Sequence, residues 1–95
     1  MHVVFSRFVE SDLEAIAAYI ARDNPTRAVT FIRKIREEIR RIGRDPLLFR
    51  LRPEIAKGAR LAITGRYVIL FRIAGKAVRV ERIVYGGRDL TALLK

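Results

Sequence analysis

Residues 59–85 read ARLAITGRYVILFRIAGKAVRVERIVY, and this stretch decides the fold. Three runs rich in Val, Ile, Leu, Tyr and Phe are separated by short turns that carry Gly65 and Gly75. Such runs, punctuated by glycine, predict three strands joined as an antiparallel meander. In the middle run Tyr67, Ile69, Phe71 and Ile73 face one way and Val68 and Leu70 the other, so both faces of the sheet are apolar. In the last run, strict alternation puts Arg82 on the face of Val78 and Val80, opposite Arg79 and Glu81.

Upstream, residues 44–58 contain Pro46, Pro53 and Gly58 and read as a loop that Leu47, Leu48, Phe49 and Leu51 can pin. Before it the period changes from two to 3.6. Ala28, Ile32, Ile35, Ile39 and Ile42, with Phe31 beside them, mark a helix that Asn24 caps, Pro25 opens and Gly43 ends as a left-handed stop. Val9, Leu13, Ile16 and Ile20 mark another, running to about Arg22, with Ser6 as its cap and Glu10, Asp12 and Glu14 near its positive end. His2 to Phe5 read as a short strand. The order β-α-α-loop-β-β-β in a chain of 95 residues predicts one α+β domain, residues 1–95, with an αα-hairpin packed on one face of a C-terminal antiparallel sheet.

That arrangement leaves the second sheet face, with Val68 and Leu70, short of cover. Either it is an interaction surface, or the loop 44–58 and the tail fold over it.

Charge is the strongest compositional signal. Lys and Arg number 20 against 10 Asp and Glu, a net charge of +10, and 16 of the 20 cations are arginine. The field is uneven, since residues 1–24 carry a net −2 and residues 25–95 a net +12. Such a surface suits nucleic acid or an acidic protein partner, because the guanidinium fork grips phosphate or carboxylate. The chain has no cysteine, which excludes disulfides, zinc-thiolate sites and thiol nucleophiles and fits a cytoplasmic protein. No apolar run approaches the about 18 residues that span a membrane. His2 is the only histidine and lies at the terminus, so no Ser-His-Asp, Cys-His or histidine-metal constellation can form. No catalytic group, metal site or cofactor site is expected.

One constellation remains at the end of the last strand: Arg82, Tyr85, Gly86, Gly87, Arg88 and Asp89, followed by Leu90, Leu93 and Leu94. Arg82 needs a partner, and Asp89 can supply it as an ion pair closing the C-terminal turn. The functional reading is that Gly86 and Gly87 turn the chain so that Arg88 projects free, able to hold phosphate or stack on a base.

The ordered set DL..I..YI..DNP in residues 12–25, RPE...G.R in residues 52–60 and R.VYG.RDL in residues 82–90 resembles the ParE branch of the RelE/ParE superfamily of bacterial toxins, nearly end to end. The resemblance implies a toxin encoded beside a ParD-like antitoxin, whose C-terminal segment wraps and neutralises it in a hetero-oligomer. It implies DNA gyrase, trapped on cleaved DNA, as the target. The RelE branch instead cuts mRNA on the ribosome. At the positions where those nucleases carry two arginines this chain offers Arg66, with Tyr67 following, and Arg88. Where they have a tyrosine in the tail it has Leu93 and Leu94, and their basic central loop is reduced to Lys57 and Arg60. The favoured reading is a gyrase poison, with a ribosome-dependent ribonuclease and a non-toxic nucleic-acid-binding module as alternatives.

Two surfaces are expected from this. Arg82, Tyr85, Arg88 and Asp89 form the target-binding, toxic end. Tyr19, Phe31, Val68 and Leu70 line a groove for an amphipathic antitoxin segment whose acidic residues meet Arg33, Arg36 and Arg40.

Overall fold

The computed structural model describes residues 1–94, with the side chains of residues 1–92. Its elements are β1 (His2–Phe5), α1 (Val9–Ala21), α2 (Pro25–Arg44), β2 (Arg60–Thr64), β3 (Tyr67–Ala74) and β4 (Ala77–Tyr85), with 3-10 turns at Pro46–Leu48 and Thr91–Leu94. The fold is α+β, as the sequence implies. The sheet order is β1-β4-β3-β2. The last three strands form the expected meander, and β1 joins its far edge parallel to β4, from His2 opposite Ala77 to Phe5 opposite Val80. Both hairpins close on two-residue turns whose first central residue is a glycine at positive φ, 59° at Gly65 and 60° at Gly75.

The helical hairpin covers one sheet face. Leu13 and Ile16 of α1, with Phe31, Ile35, Ile39 and Ile42 of α2, pack on Ile69, Phe71, Val78, Val80 and Ile83. Each such side chain, fully buried, contributes about 1.5–3 kcal/mol. Asn24 caps α2 as expected: its Oδ1 accepts the Arg27 N–H at 3.0 Å, and Pro25 opens the first turn.

Two helix ends differ from the sequence reading. Ser6 does not cap α1, whose cap residue is Phe8 with no side-chain bond. Its hydroxyl instead donates to the Glu81 carbonyl and accepts the Phe8 N–H at 3.2 Å, tying the start of the helix to β4. Gly43 is not a left-handed stop, since α2 continues through it to Arg44. The glycine is required by proximity, because a Cβ there would stand 2.7 Å from Val3 Cγ2.

The second sheet face is also covered at its centre, although Ile63, opposite Val68 on the edge strand, is 65% exposed. Val68 is 6% exposed and Leu70 0%. Leu70 sits in a small core with Ile55 and Ala59, flanked by Ala56, Leu61 and Leu90, so the loop and the tail close the face. The loop is held by a bridge between Leu51 and Arg60, by the Arg52 N–H donating to the Ala59 carbonyl at 2.7 Å, and by Arg60 Nη1 donating to the Phe49 carbonyl. Phe49 anchors it edge-on against Phe71 at 5.5 Å, whereas Leu47 and Leu48, expected to help, are exposed.

Strand β4 breaks its alternation. Leu70 stands opposite Arg82 but Phe71 opposite Val80, so Glu81 is an extra residue on β4, a β-bulge. Beyond it Ile83, not Arg82, takes the core position that continues Val78 and Val80.

Candidate functional site

The bulge lies where β1 ends, leaving an edge of β4 with unpaired backbone groups. Side chains from the α1 end of the chain close that edge. The Ser6 hydroxyl takes the Glu81 carbonyl, and Asp12 Oδ2 accepts the Ile83 N–H at 2.9 Å. The same carboxylate receives Arg82 Nε and Nη2, both at 2.9 Å. This is a bidentate pair with side-chain exposures of 16% and 9%, and the Arg82 guanidinium also lies 4.9 Å over the Phe8 ring. Donating to the Asp12 carboxylate pushes the Arg82 pKa up, against the opposing effect of burial. Arg82 is therefore bound to Asp12, not Asp89, and is not presented to a target. Asp89 instead accepts the N–H and hydroxyl of Thr91, at 3.1 and 2.7 Å, capping the last turn.

Three residues past Arg82 the chain becomes open. Tyr85 is 52% exposed, and Arg88 is exposed beyond Gly86 and Gly87. A close approach fixes the turn: the Gly86 N–H donates to the Arg66 carbonyl at 2.8 Å, and a Cβ on Gly87 would stand 2.6 Å from the Tyr85 ring. The β2–β3 turn and the end of β4 are thereby joined.

Above that junction lies the loop of the helical hairpin, and between them is a cleft of about 780 Å³. All three tyrosines of the chain, Tyr19, Tyr67 and Tyr85, line it. Tyr67 sits at its floor, 5.5 Å from the Phe31 ring and 6.1 Å, edge-on, from Tyr85. Arg66 and Arg27 supply positive charge, Arg27 standing 5.8 Å over Phe31, while Asp23 and Asn24 stand among the lining groups. Desolvation, and then the neighbouring Tyr19 and Tyr85, push the Tyr67 pKa above the ordinary phenol value, which keeps it neutral. His2, opposite Ala77, is at the other end of β4, roughly 26 Å along the strand. Among the described residues no group of His, Cys, Asp and Glu could hold a metal ion, and no helix is long and apolar enough to cross a membrane.

The expected antitoxin residues do not form one groove. Tyr19 and Phe31 both line the cleft, Phe31 as a buried ring at its floor, whereas Val68 and Leu70 are buried on the opposite sheet face. Arg33, Arg36 and Arg40 remain exposed along α2, with Arg36 3.8 Å from Glu10. Beside them Val29 and Ile32 meet Ala17 and Ala21 in a shallow apolar furrow between the helices. Lys57 is exposed in the loop, whereas Arg60 is committed to holding Phe49. The side chains of Leu93 and Leu94 lie outside the described residues. The sequence reading assigned Tyr19 and Tyr85 to separate surfaces and did not see the cleft, because spacing along the chain does not show that the hairpin loop lies over the end of β4.

The family profile described as the ParE toxin of the type II toxin–antitoxin system, parDE, matches residues 3–90. The chain belongs to the ParE toxin family. Among solved structures, this ParE-type toxin is similar to the chromosomal ParDE toxin–antitoxin system from P. aeruginosa, with a TM-score of 0.77 at 24% identity, covering 90% of this chain and 95% of that one. It is also similar to the toxin–antitoxin complex RelBE2 from Mycobacterium tuberculosis, with a TM-score of 0.63 at 25% identity, covering 88% and 95%. No curated protein gives a significant match.

Proposed function

We propose that this ParE-type toxin inhibits DNA gyrase, is not itself an enzyme, and is held inactive in the cytoplasm by a ParD-like antitoxin. The family match over residues 3–90 carries the reading. The exposed end agrees with it: Tyr85 and Arg88 offer an aromatic face and a guanidinium that can hold carboxylate or phosphate, both present on DNA-bound gyrase. The cleft beside them gains no base from Tyr67, since a phenol held neutral is a poor proton acceptor.

The antitoxin surface in this reading is the outer face of the hairpin. Val29, Arg33, Arg36 and Arg40 recur at steps of 4, 3 and 4 and so form one stripe on α2, bordering the furrow of Ala17, Ala21 and Ile32. An amphipathic segment seats its apolar side in the furrow and sets its acidic side against the arginines. Val29 is 62% exposed, so Val29→Asp is expected to leave the fold intact and weaken antitoxin binding, read by titration calorimetry, at least about tenfold. Unchanged affinity would move the antitoxin elsewhere.

The similarity to the RelBE2 complex supports a second reading, ribosome-dependent mRNA cleavage. Two assays with the purified toxin separate them. Loss of supercoiling with accumulation of cleaved DNA in a gyrase reaction supports the first. Cut mRNA in a ribosome-bound translation mixture, with gyrase unaffected, replaces it with the second.

A further inference from the structure

The cleft shares Tyr85 with the exposed C-terminal turn, but its other groups have a chemistry that neither the antitoxin stripe on α2 nor Arg88 uses. Its floor is formed by Phe31 and Tyr67, with ring centroids 5.5 Å apart; Tyr85, 6.1 Å from Tyr67, and Tyr19 flank it, 52% and 64% exposed. These two exposed rings, Tyr19 with the Arg22 guanidinium 5.9 Å from its centroid, present flat apolar surface to a planar ligand. The cations are placed around it. Arg66 stands on the β2–β3 turn and Arg27 on the first turn of α2, and neither has a carboxylate partner within 4 Å among the described residues. The volume, about 780 Å³, falls within the roughly 300–1,000 Å³ of small-ligand sites and is too small for a duplex. Asp23 offers an acceptor for an amino or hydroxyl group.

Exposed aromatic faces, unpaired guanidinium groups and a strongly positive protein are the parts of a single-strand binding site, in which bases stack on rings and phosphates meet arginine. We propose that this cleft binds one unpaired nucleotide of a nucleic-acid strand, its base against Tyr85 and Tyr19 and its phosphate held by Arg66 and Arg27. A stacked, paired base has no free face to offer, so the cleft selects single strands, while the general positive field attracts any nucleic acid. The inference does not depend on gyrase being the target. DNA and RNA share the recognised parts, a base face and a phosphate.

The test is fluorescence anisotropy of the isolated toxin with labelled thymidine and uridine decamers, a duplex of equal phosphate number, and a thymidine decamer carrying abasic sites throughout. Binding of either normal decamer at least about fivefold tighter than the abasic one is expected, because stacking is worth about 5-fold to 150-fold per base. The tighter of the two names the natural strand. Tyr85→Ala and Tyr19→Ala are each expected to remove most of that preference, and Tyr85→Phe to keep it. Arg66→Ala is expected to lower the salt dependence by about one phosphate contact, whereas Lys76→Ala, on the β3–β4 turn at the other end of the strands, leaves the base preference unchanged. Thermal melts confirm that the variants fold. Equal binding of normal and abasic decamers overturns the proposal, and so does an unaltered preference in both folded tyrosine-to-alanine variants. A glutamate decapeptide that displaces the strand, and whose own binding falls in Tyr85→Ala, overturns it in favour of an acidic peptide site.

Discussion

Arg82 and Arg88 stand close in the chain, one inside β4 and one just past its end, and the structure gives them opposite fates. Arg82 emerges at the bulge, where β1 has ended and the edge of β4 needs partners, and Asp12 takes both its guanidinium and the Ile83 N–H. Arg88 lies beyond the end of β4, past two glycines, and its side chain is exposed. An arginine beside an unfinished sheet edge is consumed by the fold. One placed after the strand stops remains available for a partner.

The largest effect that can break this contrast is on the locked side. Asp12→Ala leaves a part-buried guanidinium and a buried strand N–H without their acceptor, and breaking such a pair costs up to about 3–5 kcal/mol. For a chain of this length the full cost lowers Tm by at least about 12 °C, or prevents folding, as circular dichroism would show. Arg82→Ala is expected to cost less, about 1–3 kcal/mol, because Asp12 keeps the Ile83 N–H and can draw in water. If Arg82→Ala proved the more damaging, the edge would depend on the cation and not on the carboxylate.

On the open side the changes sharpen the contrast through ionisation. Tyr19 and Tyr85 are exposed, while Tyr67 at the cleft floor has its pKa raised by desolvation. In an ultraviolet titration Tyr67 is expected to ionise above the ordinary phenol value. The unfolded phenol loses its proton first as pH climbs past about 10, so the stability Tyr67 contributes is complete below that value and is lost as pH rises through its folded pKa. Tyr67→Phe should flatten that loss, and ionisation of Tyr67 at the ordinary phenol value would contradict its desolvation at the cleft floor.

The elements were legible in the sequence where local chemistry sets them. Alternation with Gly65 and Gly75 placed β2, β3 and β4 nearly to the residue, and the Asn24-Pro25 pair placed the start of α2. The partners were not legible. Nothing in VRVERIV marks Glu81 as the extra residue, and without that bulge Arg82 falls on the wrong face, which made Asp89 the nearer carboxylate in sequence. Asp12 read as a charge near the helix start because its partner is 70 residues away. The expected open groove failed for a similar reason: a loop with two prolines gives no period from which to see that Ile55 and Ala59 close over Leu70. The exposed turn was read correctly in place, as Tyr85 and Arg88 show, because exposure after a strand end needs no distant partner.

The smallest expected effect on stability carries the central claim. Arg88→Ala alters an exposed side chain and is expected to change stability by no more than about 0.5 kcal/mol. Its effect on function is expected to be large, and growth of cells expressing it, measured beside thermal melts of the purified variant, tests this directly. A wild-type melt, normal antitoxin binding and loss of growth arrest are expected. Full growth arrest from a folded Arg88→Ala would contradict that claim and remove the C-terminal turn from the toxic surface.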